Sequence, residues 1–111
     1  MEIACPASTP DEPLDDERAE AIADGLRALS DPTRVKLVHR IASAGDDGVC
    51  VCDLTEPLGI SQPSVSYHLR ILRDAGLVDR RRKATFAFYS IRSTELEYLA
   101  EFLVPVTTAA P

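Results

Sequence analysis

A chain of 111 residues with 45% hydrophobic and 27% charged residues has room for a single core, because a monomer of this length buries only about two thirds of its unfolded surface. No apolar run approaches the roughly 20 residues that span a bilayer, and the start, Met1-Glu2-Ile3-Ala4-Cys5-Pro6, lacks the basic flank and apolar stretch of a secretory signal, so a cytoplasmic protein is expected. The formal net charge of -6 does not exclude a nucleic-acid partner, since residues 1–31 hold nine acids against Arg18 and Arg27 while residues 61–92 hold seven bases against Asp74 and Asp79.

Three cysteines in a cytosolic setting favour metal binding or redox chemistry over a structural disulfide, and an odd count cannot pair fully within one chain. Residues 1–14 combine Pro6, Pro10 and Pro13 with small and acidic residues, a composition too poor in apolar surface to offset ordering entropy; a flexible N-terminal arm carrying Cys5 is expected. Residues 15–104 read as one DNA-binding and dimerisation domain, and residues 105–111 as a disordered tail.

From Asp15 to Leu29, Ala19, Ile22, Leu26 and Leu29 recur at helical spacing. Asp31 is placed to cap a second helix that opens on Pro32, where the missing N–H costs nothing. Its apolar stripe is Val35, Leu37, Val38, Ile41 and Ala42, and the run Ala44 to Gly48 closes it. A short helix is expected from Val51 to Leu58, with Gly59 just past its end. Ser61 caps the next helix, whose buried face is Val65, Leu69 and Leu72. Projection at about 100° per residue puts Pro63, Ser64, Tyr67, Arg70 and Ile71 opposite, with Ser66 on a flank. Two short helices joined by Gly59-Ile60-Ser61 have the spacing of a helix-turn-helix, whose second member enters the major groove.

Beyond Gly76 the pattern turns extended: Leu77 to Arg80, then Phe86 to Ile91, linked by Arg81-Arg82-Lys83-Ala84-Thr85. A β-hairpin with a basic tip directly after a helix-turn-helix is a winged-helix layout, mainly α with a small hairpin. Thr94 and Glu97 have capping-box spacing, Leu96, Leu99 and Leu103 make a last amphipathic helix, and Pro105 ends it. The first and last helices are apolar enough to build a symmetric homodimer interface.

Several segments together resemble the ArsR/SmtB family of arsenic- and metal-sensing repressors: Leu29 to Arg34, Cys50-Val51-Cys52-Asp53-Leu54, Ser61 to Leu69, Leu72 to Val78, and the hairpin through Phe88-Tyr89. The resemblance spans about Leu26 to Ser93. It implies a homodimeric winged helix that holds double-stranded operator DNA when empty and leaves it on binding As(III) or Sb(III), with Cys50 and Cys52 as ligands. In arsenic sensors of this kind a third thiolate usually follows Leu54, where this chain has Thr55; Cys5 is the remaining candidate. An arm cysteine reaching the pair of the other protomer resembles the family's Cd(II)- and Pb(II)-sensing members, which gives the alternative inducers. The histidine pattern that zinc sensors carry on the last helix is absent from Ser93 to Leu103.

Residues two apart on a helix point about 200° apart, so Cys50 and Cys52 in one helix cannot both face an ion; chelation is expected to unwind the helix start. The helix macrodipole is expected to lower a thiol pKa there. Base reading falls to Gln62, Ser64, Ser66 and Tyr67, with Arg70, Arg81, Arg82 and Lys83 on phosphates. His68, beside the buried stripe, reads as a structural imidazole bonding backbone. Cys50 and Cys52 also admit a reading as small buried hydrophobes, and Cys5 with one of them as a thiol redox switch. No nucleophile-base pair, phosphate loop or open metal site marks an enzyme.

Overall fold

The computed structural model describes residues 13–104; residues 1–12 of the expected arm, with Cys5, and the tail with Pro105 lie outside the described residues. Helix α1 (Asp16–Leu29) starts where Asp15 accepts the Arg18 N–H, and α2 (Pro32–Ser43) where Asp31 accepts the N–H groups of Thr33 and Arg34, the latter as expected. A single 3₁₀ turn, Gly45–Asp47, leads into β1 (Val49–Cys50), α3 (Cys52–Leu58) and α4 (Gln62–Asp74). The wing, β2 (Val78–Lys83) and β3 (Phe86–Ile91), precedes α5 (Ser93–Leu103). None of these helices is long and apolar enough to cross a membrane.

The sheet has three antiparallel strands in the order β1-β3-β2, not the two of a lone hairpin. Val49 and Cys50 pair with Tyr89 and Phe88, so Cys50, taken with Cys52 as part of the helix start in the chelation argument, is anchored in the sheet. The basic run is also placed differently from its expectation. Arg81, Arg82 and Lys83 are ladder residues of β2 opposite Phe88, Ala87 and Phe86, and the turn is only Ala84-Thr85. Continuous pairing out to Lys83 satisfies backbone groups that a five-residue loop would leave to water.

The core gathers Ile22, Leu37, Ile41, Leu54, Val65, Leu69, Leu72, Leu77, Val78, Tyr89 and Leu99. All three residues expected on the buried face of α4 are fully buried. In α2, Leu37 and Ile41 go inward while Val35 and Ala42 face out, because the inward arc of this helix is narrower than its apolar stripe. Ile71 lies not on the outer side of α4 but half-buried toward α1, beside Ala28 and Arg34. In α1 the inward line is Ile22, Gly25 and Ala28. Gly25 sits where a Cβ would lie 2.9 Å from Leu99 Cδ1, so its missing side chain lets α5 close against α1.

The capping box at Thr94 does not form: α5 begins at Ser93, with Arg92 before it. Arg92 is already fixed by its N–H to the Leu77 carbonyl at 2.9 Å and its guanidinium to Asp79 at 2.7 Å, which sets the helix entry earlier than Thr94.

Candidate functional site

Cys50 ends β1, Cys52 begins α3, and Val51 alone lies between them. The chain passes from extended to helical within that one residue, so the two side chains escape the divergence of a continuous helix. Their sulfurs are 2.8 Å apart, Cys50 buried and Cys52 exposed. This corrects the expectation that both must leave a helix to meet: Cys50 was never in one. The Cys52 thiol is raised above its ordinary value, first by its hydrogen bond with Cys50, then by desolvation, then by the negative charge of Cys50 and Asp53. The direction runs against the lowering expected at a helix start, because the sulfur contact, desolvation and nearby negative charge outweigh the backbone hydrogen bond that lowers this thiol.

Two touching sulfurs, one open to solvent, are a donor set suited to a soft ion. Cys52 opens onto a cleft of about 580 Å³ shared with Val49, Asp53, Glu56 and Arg40. Among the described residues no three His, Cys, Asp or Glu side chains converge to hold a metal, and Cys5 lies outside them. Thr55, at the position where the family resemblance implies a third sulfur, donates its hydroxyl to the Cys52 carbonyl at 3.2 Å.

Directly behind this pair the core residue Leu54 is fully buried, in one cluster with Val65 and Leu69 of α4. A second link reaches α4 from its far side. Arg34 donates to the Ala28 carbonyl at 2.6 Å and to His68 Nδ1 at 3.1 Å, tying the end of α1 and the start of α2 to the middle of α4. His68 is structural, as expected, but its partner is a guanidinium and not backbone; since Arg only donates, Nδ1 accepts.

Gln62, Ser66, Tyr67 and Arg70 are exposed along the outer side of α4, as are Arg81, Arg82 and Lys83 on the wing. Ser64 is half-buried and belongs to the cap: its N–H donates to Ser61 Oγ at 3.3 Å and its Oγ accepts from Ser61 Oγ at 3.1 Å. Strand alternation puts Arg80 and Arg82 on one side of β2 and Arg81 and Lys83 on the other, so the basic residues do not act as one patch. Arg73 and Arg80 were not singled out from sequence, yet both line a groove with Ser66, Tyr67 and Arg70. The steps from Ser66 to Arg70 and Arg73, at helical spacing, were the available signal.

Comparison with known proteins agrees with this architecture. The family description "Bacterial regulatory protein, arsR family" matches residues 31–80. ArsR2 of Halobacterium salinarum is 46% identical over 88 residues, covering 77% of this chain and 72% of that protein. The arsenical resistance operon repressor of Bacillus subtilis is 36% identical over 74 residues, covering 67% and 69%. Among solved structures, HlyU from Vibrio cholerae superposes with a TM-score of 0.68 at 27% identity, covering 87% of this chain and 100% of its own. With a winged helix-turn-helix and relatives of this identity and coverage, the chain belongs to the ArsR family of DNA-binding transcriptional regulators and is not an enzyme.

Proposed function

We propose that this protein is a homodimeric repressor that releases double-stranded operator DNA when As(III) or Sb(III) binds Cys50 and Cys52, with Cys5 as a third sulfur. The observation that carries the reading is the sulfur contact at the β1–α3 junction, backed directly by a core leucine of the helix-turn-helix. The likeness to the Bacillus subtilis arsenical resistance operon repressor supports the choice of ion.

The coupling follows from bond lengths. With metal–sulfur bonds of about 2.3 Å, as zinc thiolates have, two sulfurs on one ion stand roughly 3.5–4 Å apart. One ion gripping both sulfurs of this adjacent pair would therefore fix Cys52 at a set distance from Cys50. Cys50 is held by its ladder to Phe88, so Cys52 and the first turn of α3 take up the adjustment. Leu54, two residues on and without free space, passes it to Val65 and Leu69 beneath the reading helix. Emptying the operator well requires about 3 kcal/mol of such coupling, at the upper end of ordinary allosteric values.

In this reading Gln62, Ser66 and Tyr67 meet base edges, Ser64 supports the helix start, and Arg70, Arg81, Arg82 and Lys83 contact phosphates. Anisotropy of labelled operator during parallel arsenite, antimonite, cadmium, lead and zinc titrations tests it. Release at the lowest concentrations of arsenite or antimonite is expected. Stronger release by Cd(II) or Pb(II) would instead make this a cadmium or lead sensor, and release by peroxide alone, reversed by a thiol reductant, would make it a redox switch.

A further inference from the structure

We infer that Arg70, Arg73 and Arg80 form a clamp for one backbone phosphodiester of DNA, seated between α4 and the wing. Ser66, Tyr67, Arg70 and Arg73 step along one side of α4, and Arg80 faces them from β2, across the ladder from Tyr89. These six residues line a single groove of about 480 Å³. No acid lines it. Asp79 is engaged with Arg92 at 2.7 Å, and Asp74 lines a different cleft beside Asp24 and Arg27. Among the described residues none of the three guanidiniums makes an ion pair.

Three like charges around one concavity repel one another unless an anion occupies it. Guanidinium forks match a phosphate oxyanion in bidentate geometry. Tyr89, at 8% exposure, lines the same groove, and its hydroxyl has no hydrogen-bond partner among the described residues, which leaves a further donor for the same anion. The occupant is a DNA phosphodiester because the groove runs between the helix that enters the major groove and the adjoining wing, where a strand backbone passes. The inference rests on α4 being the groove-facing helix.

Affinity for operator and for scrambled duplex, measured against salt concentration, tests the clamp with Arg73→Gln, Arg80→Gln and the double variant. All sites are exposed, and unchanged thermal unfolding verifies the fold. Both duplexes should weaken by the same factor, and the double variant should lose about 0.9 per protomer in the slope of log K against log salt, the value for one phosphate. An unchanged slope, a loss confined to the operator, or a loss equivalent to two phosphates per protomer overturns the shared clamp. Inorganic phosphate added at fixed ionic strength should leave wild-type binding unchanged; competition abolished by the double variant would assign the groove to free phosphate and overturn the DNA assignment. Gln62→Ala, run alongside, separates the failures. If it erases operator preference while the arginine variants do nothing, only the clamp is wrong; if none of these variants changes binding, α4 is not the groove-facing helix.

Discussion

Replacing Cys52 by Ser removes the exposed sulfur and leaves the core untouched, so operator affinity should hold while release by arsenite is lost; simultaneous loss of both, seen by anisotropy, would make Cys52 structural. Cys5→Ser should weaken the arsenite response without abolishing it, and an unchanged induction curve would place Cys5 outside the site. The raised Cys52 value has a direction-specific consequence. Divalent cations must displace thiol protons, so Cd(II) affinity should climb as pH rises toward and through that raised value. Arsenous acid condenses with thiols by losing water and releases no net proton, so its affinity should stay nearly flat across the neutral range. Calorimetric titrations in mildly acidic and mildly alkaline buffer check the contrast. The sulfur pair itself was readable from the motif, because thiols at that spacing ahead of a helix-turn-helix stand out. The strand-to-helix break between them was not: Val49 and Cys50 are too few to show alternation, and their partners lie about 40 residues on in β3.

Helix α4 is held from two sides, and each hold makes its own prediction. Arg34→Met leaves His68 Nδ1 and the Ala28 carbonyl without their donor in a half-buried site, which should cost about 1–3 kcal/mol in urea unfolding. Leu54→Ala, at a fully buried position, should cost about 2–5 kcal/mol. It should also blunt arsenite release beyond that loss, since the packing that carries the movement is gone; release of normal amplitude at normal arsenite concentration would argue for another route. Helix positions were readable because Asp31 and Ser61 supply caps with a local mechanism and the apolar residues of α1 recur at helical spacing. The Thr94 signal failed because a distant contact, Arg92 with Asp79, outweighed a local preference. The basic run was misplaced for a related reason: charged residues read as a loop, but pairing to Phe86, Ala87 and Phe88 keeps them in a strand.

For the whole molecule, the acids Asp16, Glu17, Glu20 and Asp24 lie on α1 while the bases from Arg70 to Lys83 lie on α4 and the wing, so a net charge of -6 is compatible with a local basic surface. Helix α5 ends with Phe102 and Leu103 at 50% and 57% exposure, and Val104 follows at 63%, an apolar end that a second copy would cover in the proposed dimer. Phe102→Asp with Leu103→Asp should shift sedimentation to monomer and weaken operator binding together; a dimer that persists would move the interface elsewhere. Arsenite control of DNA binding through the sulfur pair is tested most directly by operator anisotropy for the wild-type protein and Cys52→Ser at saturating arsenite. Release is expected for the former and full retention for the latter, and wild-type protein that stays bound at full affinity would contradict an arsenite switch at the sulfur pair.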